Sequence, residues 1–124
     1  MLMSKRVLIV DDEASIQEVI QGCLEELAGW EVWTASSGLE GLELASGQPD
    51  GILLDVSMAG MDGFEVLQAL KADPKTQTIP VVLLTARVQA SDLAQFAKLP
   101  IAGVIQKPFD PVLLIDQVAE AFGW

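Results

Sequence analysis

No histidine occurs anywhere in the 124 residues. That removes imidazole as a general base and as a metal ligand, so any metal bound here must be a hard cation held by oxygen, with Mg²⁺ and Ca²⁺ the candidates. Cysteine is nearly as scarce. Cys23 stands alone, which excludes an internal disulfide, and its place among apolar helix positions reads as a packed thiol in a reducing compartment. Lysine and arginine total seven against eighteen aspartates and glutamates, a net charge of −11. Nucleic-acid affinity rests mainly on basic side chains that release counterions, so direct nucleic-acid binding is not expected. Long apolar runs are missing too. None approaches the roughly 18 residues a membrane span requires, and the run from Val7 to Val10 leads into two aspartates rather than a cleavage site; a cytoplasmic protein without membrane association is the expectation. There is no internal repeat, linker or low-complexity tract, and the tail after the last helical segment is too short to reach another module. One domain over 1–124, with no attached output module, is therefore expected.

What the chain does have is a core. Hydrophobic residues make up 51% and charged residues 20%, the balance of a domain that folds alone rather than of a disordered segment. Four short apolar runs stand out: Val7-Leu8-Ile9-Val10, Ile52-Leu53-Leu54, Val81-Val82-Leu83-Leu84 and Val104-Ile105. Each is continuous and too short for a helix, the mark of a strand buried on both faces of a parallel sheet. Between the first two lies a stripe with helical spacing, Ile16, Val19, Ile20, Cys23, Leu24 and Leu27, ended by Gly29, and Glu31 to Ala35 then reads as an edge strand. Ser37-Gly38-Leu39-Glu40 and Asp62-Gly63-Phe64-Glu65 each set a capping oxygen three residues before a glutamate, so two helices start there. The third helix stops before Asp73-Pro74, a fourth spans Ser91 to Lys98, and a fifth opens at Asp110-Pro111. The order is (βα)5. It predicts an α/β, flavodoxin-like fold with a parallel sheet of order 2-1-3-4-5, right-handed crossovers and helices on both faces.

In such sheets ligands bind at the carboxyl ends of the strands. The first residues after the strands are Asp11-Asp12, Asp55, Thr85 and Lys107. Taken singly, each has a plainer reading: Asp55 a turn residue, Asp11-Asp12 the cap of the first helix with Glu13 complementing its dipole, Thr85 a strand-end hydroxyl, Lys107 a solvated surface lysine. Taken together they form a constellation. Three carboxylates in one crevice repel by about 4 kcal/mol per pair at 4 Å and an effective dielectric near 20, so positive charge must join them. Lys107 supplies one charge and a divalent ion the rest, with Mg²⁺ preferred because two carboxylates plus waters suit its partly hydrated octahedron. A carboxylate left to attack phosphorus, cations on the equatorial oxygens and a hydroxyl donor make a phosphoryl-transfer site, with Asp55 as the nucleophile.

The residues VLIVDD (Val7 to Asp12), DVSMAGMDG (Asp55 to Gly63), Thr85-Ala86 and Lys107-Pro108-Phe109 resemble the receiver domain of two-component response regulators, of the stand-alone type, over essentially the whole chain. The resemblance implies transfer to Asp55 from a phosphohistidine of a partner histidine kinase or histidine phosphotransfer protein. It also implies Mg²⁺ on Asp12, Asp55 and the Ser57 carbonyl, with Asp11 acting partly through water, and slow self-dephosphorylation rather than enzymatic turnover. Lys107 would contact the phosphoryl group, Thr85 would swing toward it past the small Ala86, and the Lys107-Pro108 peptide would be cis. A downstream protein would read the surface formed by helix 4, strand 5 and helix 5, on a monomer or a phosphorylation-dependent dimer.

Two positions depart from the family's habit: Ala59 stands where proline is usual, and Val104 stands three before the lysine, where many receivers carry Tyr or Phe. Without that ring the route outward would run through backbone shift or packing around Val104 and Phe96. Ser57 and Arg87, two after Asp55 and Thr85, sit where the family tunes phosphoryl lifetime. The competing readings are a Mg²⁺-dependent aspartyl-phosphate phosphatase and a receiver-like scaffold that signals by binding alone. The first would favour a second acid at position 57 and needs a substrate cap; the second must explain why every site residue is present. A flavin or nucleotide binder is disfavoured by Asp11, Asp12 and Glu13, where a phosphate would want glycines and amide donors.

Overall fold

In a computed structural model, which describes residues 5–58, 60–86 and 89–124, the apolar runs form five strands: β1 (Arg6–Val10), β2 (Glu31–Ala35), β3 (Gly51–Asp55), β4 (Val81–Thr85) and β5 (Gly103–Gln106). They build one parallel sheet of order β2-β1-β3-β4-β5. Between and after them run α1 (Ala14–Gly22), α2 (Gly38–Ala45), α3 (Gly63–Ala72), α4 (Ala90–Phe96) and α5 (Pro111–Phe122). The expected architecture and strand order are those observed.

Alternation along the strands divides the core in two. Val7, Ile9, Leu53, Val82, Leu84 and Ile105 face Ile20 and Leu24 after β1 and Leu114 and Val118 of α5. Leu8, Val10, Ile52, Leu54, Val81 and Leu83 face the other way, onto Ala45 of α2, Val66, Leu67 and Leu70 of α3 and Phe96 of α4. Every residue of β3 and β4 is buried, which is why those strands read as unbroken apolar runs rather than as alternating ones.

The local start signals act as expected. Ser37 Oγ accepts the Glu40 amide at 3.2 Å, and Asp62 and Glu65 form a reciprocal capping box. In α5, Pro111 fills the first turn while Asp110 Oδ1 accepts the Val112 amide at 2.9 Å. The first helix differs from its stripe. It is α-helical only to Gly22 and continues as a π-helical turn over Cys23–Leu27. The wider turn rotates later side chains off the apolar face, and Leu27 ends 71% exposed; Val19, at the flank of the stripe, is also out of the core. The fourth helix is shorter and earlier than 91–98, beginning at Ala90 after a Gln89 amide that donates to the Asp92 carboxylate.

Candidate functional site

The carboxyl ends of β1, β3, β4 and β5 meet at one edge of the sheet. At β1, the Asp11 amide donates to the Ala35 carbonyl at 3.0 Å, one step beyond the strand, and Asp11 Oδ1 accepts the Glu13 amide at 2.9 Å. This tight turn leads into α1, with Glu13 rather than Asp11 or Asp12 at the helix cap position, so the capping explanation of the acid pair fails. Asp11 is fully buried, while Asp12 is exposed. Asp55 is the last residue of β3 rather than the first beyond it, and is only 3% exposed. Thr85 likewise closes β4, is buried, and accepts the Lys107 amide on its carbonyl at 2.8 Å.

The side chains converge. Lys107 Nζ lies 2.8 Å from Asp11 Oδ2 and 3.2 Å from Asp55 Oδ1, with 13% of its side chain exposed. It is no solvated surface lysine. One carboxylate oxygen from each of Asp11, Asp12 and Asp55 lies within 4.8 Å of the others. The Ser57 amide approaches Asp55 Oδ1 at 3.4 Å, and Ser57 itself is exposed. The Lys107–Pro108 peptide is cis.

The electrostatics follow from this crowding. Burial, and then the neighbouring Asp11 carboxylate, hold the Asp55 carboxyl above its ordinary value, offset in part by Lys107 and by the Ser57 amide. Burial works against the Lys107 charge, but the hydrogen bond and attraction to Asp11, joined by Asp55, outweigh it and the ammonium sits above its ordinary value. Lys107 is thus shared between Asp11 and Asp55, while a third carboxylate, Asp12, clusters with those two acids. An oxygen-only donor set spanning 4.8 Å is close to the roughly 4.2 Å between opposite ligands of an octahedron with 2.1 Å bonds, so these residues fit a small hard cation such as Mg²⁺.

The loop after β3 holds a feature that its glycines concealed. What Gly63 provides is room. A Cβ there would stand 2.3 Å from the Asp55 carbonyl oxygen and 2.7 Å from the Val56 Cα, distances that only a backbone shift could relieve. The Gly63 amide donates to the Val56 carbonyl at 3.0 Å, which seats α3 directly on the bend behind Asp55. Gly60, by contrast, sits at φ 77°, in the left-handed region that favours glycine. Ala59 and Arg87 lie outside the described residues. Val104 is half-buried against the cluster that contains Phe96, Leu99 and Ile101. Sequence reasoning passed over Gln17, whose side-chain amide reaches back to the ends of β1 and β2; only its position one turn after the acid pair could have drawn attention to it.

Known proteins place this geometry. The chain is 43% identical over 118 residues to the response regulator PleD of Caulobacter vibrioides, covering 94% of this chain and 26% of that protein. It is 30% identical to the chemotaxis protein CheY of Pseudomonas aeruginosa, covering 94% and 95% of the two. The chain thus spans about a quarter of the first relative and nearly all of the second. Among solved structures, the chemotaxis response regulator CheY4 of Vibrio cholerae superposes with a TM-score of 0.88 at 31% identity, over 96% of this chain and 99% of that one. The family model of the response regulator receiver domain matches residues 7–119, and the chain belongs to that family.

Proposed function

We propose that the chain is a phosphoacceptor, a receiver that takes a phosphoryl group on Asp55 and signals by the change of shape that follows. The observation that carries this reading is the Asp55 carboxylate itself, buried at the end of a central strand, 3.2 Å from the Lys107 ammonium and clustered with Asp11 and Asp12. One carboxylate oxygen attacks the phosphorus of a phosphohistidine on a partner histidine kinase or histidine phosphotransfer protein. The O–P bond forms as the P–N bond breaks, and the electron pair stays on the leaving imidazole nitrogen. Lys107 neutralises charge on the transferring oxygens, and the Thr85 hydroxyl donates to the bound group. Asp12, Asp55 and the Ser57 carbonyl would hold Mg²⁺, with Asp11 beside them. When bound, the ion supplies charge compensation for the incoming phosphoryl oxygens.

Slow attack of water on the acyl phosphate later returns free phosphate and the carboxylate and so resets the signal, with self-catalysed transfer and this slow loss as the only chemistry. The aspartyl phosphate carries a charge of roughly −1.5 to −2 in place of the carboxylate's single negative charge, where Lys107 is already shared between two acids, and shifting a two-state element from 1:99 to 99:1 needs about 5.5 kcal/mol. A downstream protein would read the result on the face of α4, β5 and α5. The test is incubation with a small acyl phosphate or phosphoramidate and Mg²⁺, followed by intact mass. A gain of one phosphoryl group, absent in Asp55→Asn and released by hydroxylamine, is expected; a gain that survives Asp55→Asn would overturn the assignment.

A further inference from the structure

Gln17 belongs to α1, yet its side chain serves the strand ends. The amide nitrogen Nε2 meets three acceptors: the Asp11 carbonyl, the Ala35 carbonyl at 3.1 Å and Ser36 Oγ at 3.2 Å. Two of the three are backbone carbonyls, which accept only, so the NH₂ end of the side chain must be the one that points at them. Its two hydrogens match those two carbonyls, and the Ser36 hydroxyl is the alternative partner. The Asp11 and Ala35 carbonyls sit just beyond and at the end of adjacent parallel strands, and the Ala35 carbonyl already takes the Asp11 amide. Gln17 therefore clamps β1 to β2 at the point where the chain turns away to carry Asp12.

That point needs a clamp. Asp12 is exposed, on a short turn between Asp11 and α1, and its carboxylate is repelled by Asp11 and Asp55 across less than 5 Å. The side-chain oxygens of Asp11 are committed to the Glu13 amide and to Lys107. The peptide that joins Asp11 to Asp12 is fixed by the bond from Gln17 to the Asp11 carbonyl. We propose that Gln17 is a positioning residue for the cation end of the pocket: by holding the Asp11–Asp12 peptide it keeps the Asp12 carboxylate within reach of Asp55. Mg²⁺ tolerates little departure from octahedral geometry, so a small swing of this peptide lowers affinity. Water can replace the lost hydrogen bonds at a half-exposed site at little cost in stability, but it cannot fix the direction of the peptide.

The inference rests on the reading of the pocket as a Mg²⁺ and phosphoryl site, and its test separates the two. Mg²⁺ binding is measured by calorimetric titration of the wild type, of Gln17→Met, which keeps the length and loses the donors, and of Gln48→Met. Gln48 donates in the same way to the Lys75 carbonyl, in a loop away from the pocket, so it is the matched control. Gln17→Met is expected to weaken Mg²⁺ binding by about tenfold with little change in Tm, and to slow phosphoryl uptake at limiting but not at saturating Mg²⁺. Gln48→Met is expected to bind Mg²⁺ as the wild type does. Equal Mg²⁺ affinity in Gln17→Met and wild type, or an equal loss in Gln48→Met, overturns the positioning role while the wild type still binds Mg²⁺ and takes up phosphoryl. A wild type that binds no Mg²⁺ and takes up no phosphoryl overturns the site reading, and this inference with it.

Discussion

Two strands deliver the charged pair at the heart of the pocket, and they are held in opposite ways. β3, which ends in Asp55, lies between β1 and β4 with all five residues buried. β5, which feeds into Lys107, is an edge strand with one neighbour, and of its four residues only Ile105 is buried. Asp55 is therefore anchored, whereas the lysine paired with it hangs from an element with few constraints. On the proposed reading, a phosphoryl group at Asp55 would meet resistance on β3 and yield on β5, on the side of the sheet that carries Val104.

The comparison breaks first if the two strands prove equally firm. Leu53→Ala, a fully buried position of β3, should cost about 3 kcal/mol in urea denaturation, and Val104→Ala on β5 less than about 1 kcal/mol; similar costs would remove the distinction. Lys107→Met comes next. It leaves Asp11 Oδ2 buried beside Asp55 without its ammonium, and should cost about 2 kcal/mol in chelator, part of it recovered when Mg²⁺ is added. No loss in chelator would mean that the lysine is not needed to offset the acids.

The smallest effect concerns pH. Because the folded Asp55 carboxyl is held above its ordinary 3.8, its contribution favours the fold below that value and is lost as pH rises through the raised one. Asp55→Asn removes this liability. In chelator the variant should be more stable than wild type at pH 7, and the gap should close toward pH 4. Thermal unfolding of both proteins across that range measures it; a gap that widens as pH falls would reverse the sign.

Much of this was legible in the sequence because buried parallel strands and capping residues leave local signatures. Val81 to Leu84 can hardly be anything but an inner strand, and Asp62-Gly63-Phe64-Glu65 announces a helix whatever surrounds it. The five strand-end residues were legible for a related reason: strand order fixes which chain ends meet, so position alone brings Asp11, Asp12, Asp55, Thr85 and Lys107 to one edge. What stayed hidden depends on three-dimensional approach. Nothing local in Gly63 tells that the Asp55 carbonyl passes 2.3 Å from where its Cβ would be. The apolar stripe through Leu27 gives no sign of the π-helical turn that carries that leucine outward, and Gln17 looks like any polar residue on a helix until β2 is laid beside β1.

A phosphoryl group at Asp55 is expected to move the edge strand and to spare the central one. Hydrogen-exchange mass spectrometry after incubation with a small phosphodonor and Mg²⁺ reads both at once. The predicted result is one added phosphoryl group, unchanged protection across residues 51–55, and altered protection within residues 89–107. A phosphoryl group gained with identical exchange over residues 89–107, or altered protection confined to β3, would contradict it.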